Sequence, residues 1–98
     1  MTYPVRYSMR SYQEYDQLLE YIFSKFSIEK AVEVDKYFEQ MIDLIAANPT
    51  LFPYTDKTKK LRRCVASTQT TIYYRFTGKY VEIVSFRGNL MNPDSLNV

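Results

Sequence analysis

Two apolar stripes at helical spacing, with almost nothing between them, constrain this chain more than any other feature. Tyr12, Tyr15, Leu18, Leu19, Ile22, Phe23 and Phe26 recur every three or four residues, which predicts an amphipathic helix over about 11 to 25. Ser11-x-x-Glu14 reads as its capping box. Ser27 is placed to cap a second helix, with Glu29 in its first turn. Ala31, Val34, Phe38, Met41, Ile42 and Ile45 form that helix's single stripe, and Asn48-Pro49 ends it, because a residue before proline disfavours the helical conformation. So short a link leaves only an antiparallel helical hairpin.

The rest of the chain must supply what the hairpin packs on. Residues 4 to 9, PVRYSM, alternate Val5, Tyr7 and Met9 against Arg6, Ser8 and Arg10, as a half-buried strand does. The stretch 49 to 60, PTLFPYTDKTKK, has two prolines and then a lysine cluster, and reads as a loop anchored by Leu51 and Phe52. LRRCVA (61 to 66), TTIYYRF (70 to 76) and YVEIVSF (80 to 86) are three β-rich runs; Thr77-Gly78-Lys79 turns between the last two. The predicted order is β-α-α-β-β-β, an α+β fold in one domain over residues 1–98. Each element has one apolar face, so the hairpin must cover one face of a mostly antiparallel sheet. The other sheet face stays open.

Composition removes several function classes. No apolar run approaches the roughly 20 residues of a membrane span, and the opening MTYPVRYSMR has no apolar signal core, so neither a membrane partner nor secretion is expected. Cys64 is the only cysteine, which forbids an internal disulfide and suits a reducing cytoplasm. In an apolar strand it reads as a small buried hydrophobe. The absence of histidine excludes a His-based catalytic triad and a His/Cys zinc site. No cofactor is expected. The acid pairs Glu29/Glu33 and Asp35/Glu39 read as a solvated helix face. The net charge of +2 conceals a division: residues 1 to 56 sum to −4 and residues 57 to 98 to +6. A basic second half points to an anionic partner.

Taken in order, the short first strand, the hairpin ending in NPTLFP, the LRR strand, TIYYRF, VEIVSF and an Asn-Pro tail resemble the RelE/ParE toxin superfamily. The likeness covers nearly the whole chain and is greatest to ParE-like plasmid-stabilisation toxins of type II toxin–antitoxin pairs. In many such proteins the last strand runs into a tail of the form F-D-x-R-Q-N-P. Here SFRGNLMNPDSL keeps the shape but places Leu90 and Met91 where the arginine and glutamine stand.

The resemblance implies a bacterial cytoplasmic toxin that inhibits growth and is neutralised by a cognate antitoxin. For a ParE-like protein the implied target is DNA gyrase, reached by binding without catalysis. The alternative is a RelE-like endonuclease that cleaves mRNA on the ribosome; a further one is a non-toxic member that acts only as a binding partner. Metal-free RNA cleavage needs a base for the 2′-hydroxyl, cations for the phosphorane and an acid for the leaving oxygen. Without histidine, the resemblance assigns these to Lys, Arg and Tyr, and the candidates are Lys60, Arg62, Arg63, Tyr73, Arg75 and Arg87, with Lys59 beside them. Two departures count against the enzyme: Thr71 stands where an arginine commonly opens that strand, and no tyrosine follows Tyr80. For target or partner binding the candidates are Lys59, Lys60, Arg62, Arg63, Arg87 and Asn89.

Each candidate also has a structural reading. Arg62 and Arg63 point to opposite faces of a regular strand, so one of them caps the core edge or pairs with a helix carboxylate. Lys57, Lys59 and Lys60 fit a solvated cluster. By alternation with Ile72 and Phe76, Tyr74 belongs to the core and Tyr73 to the surface. The helix tyrosines Tyr12, Tyr15, Tyr21 and Tyr37 read as packing residues. Arg87, beside Gly88, stands between a functional role and an ion pair that anchors the tail.

Overall fold

In the computed structural model, which describes residues 2–67 and 69–88, Ser8 rather than Ser11 starts the first helix. The Ser8 hydroxyl accepts from the Ser11 N–H at 3.0 Å and donates to the Val84 carbonyl at 2.8 Å. One side chain thus caps helix α1 (Met9–Lys25) and ties its start to the last strand. The expected Ser11–Glu14 capping box does not form. Ser11 lies inside the first turn, fully buried, with its hydroxyl donated back to the Ser8 carbonyl at 2.8 Å. Helix α2 (Ile28–Ala47) begins where the sequence places it: Ser27 accepts from the Lys30 N–H at 3.0 Å. It ends at Asn48, whose N–H reaches the Leu44 carbonyl at 3.0 Å, before Pro49.

A five-stranded sheet supports the hairpin. Its strands are β1 (Val5–Tyr7), β2 (Tyr54–Asp56), β3 (Leu61–Val65), β4 (Thr70–Phe76) and β5 (Val81–Gly88), in the spatial order β1-β5-β4-β3-β2. Neighbours run antiparallel except β1 and β5, which are parallel, with Val5 opposite Val81 and Tyr7 opposite Ile83. The chain therefore returns to its first strand only at its last, and the hairpin and the other strands lie between. Strand β2 falls in the stretch read as loop. It has only three residues at the sheet's edge, too short for an alternation pattern. Leu51, the expected anchor there, is exposed, while Phe52 is half-buried against the Tyr74 ring.

The core lies between sheet and hairpin. Phe38, Ile42 and Ile45 of α2 meet Cys64, Ile72, Tyr74, Val81, Ile83 and Phe86 of the sheet. Burying each large apolar side chain contributes roughly 1.5–3 kcal/mol before conformational entropy is charged against it. Tyr74 is a core residue, as alternation predicts, and its hydroxyl donates to the Pro49 carbonyl at 2.7 Å. The helix tyrosines meet the packing expectation only in part. Tyr15 packs against Phe38 and Phe86; Tyr37, though exposed, meets the Phe38 ring edge-on and donates to the Ala66 carbonyl; Tyr12, also exposed, lies against Tyr7, and Tyr21 is exposed. A two-layer fold buries less of α1's circumference than its apolar sequence would fill. None of the described helices is long and apolar enough to cross a membrane.

Candidate functional site

The hairpin covers one sheet face, and pairing register sets what the other presents. Cys64, Ile72 and Phe86 stand opposite one another across β3, β4 and β5 and point into the core. Their neighbours Arg63 and Tyr73 stand opposite each other on the other face, and Tyr73 is in register with Ser85 of β5, whose side chain is fully buried. Further along, Arg75 of β4 stands opposite Glu82 of β5, which stands opposite Arg6 of β1. Between the rows the register slips: Tyr73 faces Ser85 while Tyr74 faces Ile83, so Val84 is the extra residue of a bulge.

Several candidate cations are already committed to the fold. Arg62 donates to the Phe52 carbonyl at 2.7 Å and the Thr50 carbonyl at 3.4 Å, and its guanidinium lies 3.9 Å from the centre of the Tyr54 ring. It holds the irregular 49–53 segment against the sheet, the core-edge role. Arg75 donates to the Lys59 carbonyl at 2.8 Å and pairs with Glu82 at 3.8 Å. Arg63, by contrast, is exposed, and among the described residues its guanidinium reaches the Thr55 hydroxyl alone, at 3.4 Å. Tyr73 beside it is half-buried. Lys59 and Lys60 lie in the tight β2–β3 turn, where Lys60 has a positive φ of 54° and its N–H bonds the Lys57 carbonyl. On the same open face, the Arg6 guanidinium sits 4.1 Å from the centre of the Tyr80 ring. Asn89 and the tail residues Leu90 and Met91 lie outside the described residues.

Arg87 is an ion-pair partner, and the group that holds it went unrecognised in the sequence. Glu14 accepts from the Ser85 hydroxyl at 2.6 Å, the Phe86 N–H at 3.2 Å, Arg87 at 3.3 Å and Arg10 at 3.5 Å. Strand β1 stops pairing at Ile83, so β5 presents an unpaired edge beyond it, and the carboxylate takes the N–H that a longer β1 would have taken. The Glu14 signal, an acid three residues after Ser11, is the same one a capping box leaves. Strand β5 also runs through Arg87 and Gly88, past the expected end at Phe86, with Gly88 opposite Thr70.

Titration adds little reactivity. Burial pushes the Cys64 thiol up to about 11, which makes it inert at neutral pH. Burial likewise pushes the Tyr74 phenol up to about 12, against the lowering effect of Arg62. Among the described residues, no three Cys, Asp or Glu side chains are grouped to hold a metal ion. The open face therefore combines the exposed Arg63 with the half-buried Tyr73 opposite it. Three of the arginines that phosphate chemistry would need, Arg62, Arg75 and Arg87, are spent on the fold.

No family model matches the chain, and no curated protein matches it in sequence. Solved structures do. A chain of the chromosomal ParDE TA system from P. aeruginosa superposes with a TM-score of 0.76 at 10% identity, covering 89% of this chain and 96% of that one. A chain of the E. coli DinJ-YafQ toxin–antitoxin complex superposes with a TM-score of 0.61 at 11% identity, covering 94% of this chain and 100% of that one. The fold is thus that of the RelE/ParE-like toxins, shared over nearly the full length of each chain.

Proposed function

We propose that the protein is the toxin of a type II toxin–antitoxin module of the plasmid-stabilisation kind, acting in the bacterial cytoplasm and silenced by a cognate antitoxin. The observation that carries this is the full-length structural likeness to a chain of the ParDE system. Fold alone does not fix function, so the site must be compatible, and it is. A ParE-like toxin needs a surface that engages a large target, and no reactive centre. The open face offers the exposed Arg63 with Tyr73 beside it, and much of its remaining charge is internally paired. DNA gyrase is the proposed target.

The second reading, a RelE-like mRNA endonuclease, has one favouring observation: Arg63 and Tyr73 stand opposite each other across β3 and β4, a cation beside a phenol on an accessible face. Purified gyrase separates the two. The leading reading expects loss of supercoiling and accumulation of cleaved DNA on adding the toxin, with mRNA on translating ribosomes left intact. Unimpaired supercoiling together with cut mRNA reverses the assignment.

A further inference from the structure

On the side away from the open face, the start of the chain and the helical hairpin enclose a cleft of about 430 Å³. Tyr7, Tyr12 and Tyr15 line one wall. Asp35, Glu39 and Asp43 line the other, four residues apart along α2 and so stacked on one helix face. Phe38, Ile42 and Phe86 contribute apolar surface between them. Asp35 accepts from the Tyr15 hydroxyl at 2.5 Å. Glu39 and Asp43 have no hydrogen-bond or ion-pair partner among the described residues.

This row is electrostatically unbalanced. Like charges one turn apart repel. Its lower end approaches the negative pole of the helix, and the last turn of α2 holds no basic residue to offset either effect. The tyrosines register the same field. Burial, then Tyr12 and the carboxylates Asp43, Glu39 and Asp35, raise the Tyr7 phenol above its ordinary value. Burial, followed by the bond to Asp35, raises Tyr15 further. Tyr7 and Tyr15 therefore stay neutral, and with Tyr12 they set ring surface opposite Glu39 and Asp43.

We infer that this cleft receives an arginine side chain carried on an apolar segment of a partner protein. A guanidinium is planar, stacks on tyrosine and donates in pairs to a carboxylate, so it uses both walls at once. The apolar surface between the walls accepts the aliphatic neighbours of that arginine. The chain's own last ten residues, NLMNPDSLNV, carry one acid and no cation, and do not complement the row. A metal ion is a poor match, since the carboxylates are spread along the helix and not gathered. Naming the antitoxin as the partner rests on the function proposed above; the cleft's preference for arginine does not.

The test is NMR of protein with labelled tyrosine rings, titrated with N-acetyl-arginine N-methylamide, a peptide-like arginine without charged ends. Tyr7, Tyr12 and Tyr15 signals should move saturably with a Kd of roughly millimolar order. Tyr54 and Tyr73, far from the cleft, should not. The citrulline analogue should leave all of them unmoved, and Glu39→Gln with Asp43→Asn should weaken binding about tenfold. Free arginine, with its own carboxylate, should bind more weakly. No saturable shift, or equal binding of citrulline, refutes the site. Equal or tighter binding of free arginine makes it a small-molecule pocket, and concentration-dependent shifts without any probe make the occupant a second copy; either result overturns the inference. Should the probe be refused while gyrase is still inhibited, the cleft reading falls and the proposed function stands.

Discussion

Replacing Glu14 with alanine removes one acceptor from four donors at once. Ser85 is fully buried, the Phe86 N–H lies on a strand edge with no other partner among the described residues, and the Glu14 side chain itself is only 18% exposed. Each hydrogen bond to a charged group contributes about 1.5–3 kcal/mol, but the four share one carboxylate and cannot be summed. Breaking a mostly buried ion pair on one side costs about 3–5 kcal/mol, and that is the expected loss for Glu14→Ala. Against a domain stability of about 5–15 kcal/mol, it removes a large fraction. At about 4–8 °C per kcal/mol, the melting temperature should fall by at least about 12 °C. Glu14→Gln keeps one acceptor oxygen for Ser85 or Phe86 and loses the charge that Arg87 faces, so its cost should be about 1–2 kcal/mol. Urea denaturation followed by circular dichroism measures both. The reasoning is wrong if alanine costs less than about 1 kcal/mol, since the knot would then be ornamental.

The two arginines of β3 should separate stability from function. Arg62→Met gives up two carbonyl partners and the Tyr54 ring, so it should cost about 1–3 kcal/mol in urea while gyrase inhibition by the folded protein is unchanged. Arg63→Glu should behave in the opposite way, with a melting temperature within about 2 °C of the parent and inhibition weakened about tenfold, read in a supercoiling assay. Alkaline stability follows from burial of Cys64 and Tyr74. Both acids have folded values above their ordinary ones, so the fold favours the neutral forms; stability is intact below about pH 9 and is lost as pH rises through about 11 and 12. Urea midpoints between pH 8 and 11 should therefore fall, and Cys64→Ala should flatten the first part of that decline relative to its own value at pH 8.

The sequence made the elements with strong local periods legible and left hidden those that depend on distant partners. TTIYYRF maps onto β4 residue for residue, because alternation and flanking turn residues define it locally. The second helix is equally clear from Ser27 to Asn48. The cap of the first helix lies three residues before the expected one because Ser8, Ser11 and Glu14 all fit a capping pattern, and the Val84 carbonyl and the β5 edge decide among them. No sequence period signals that β1 and β5 are parallel, or that Val84 bulges. At the site, strand alternation divided Arg62 from Arg63 and Tyr73 from Tyr74 correctly. It could not show that Arg62 and Arg87 find partners, since those lie in the irregular 49–53 segment and 73 residues away on α1. The cleft was missed for the same reason: Asp35 and Glu39 look like a solvated face until Tyr7, Tyr12 and Tyr15 are brought opposite.

The central claim is that the protein stops growth by binding a target of DNA metabolism. Inducible expression in a bacterial host, with pulse labelling of new DNA and new protein in one culture, tests it most directly. The account predicts that DNA synthesis halts first while translation continues. Protein synthesis halting first, with DNA synthesis following, would contradict it and assign the activity to the ribosome.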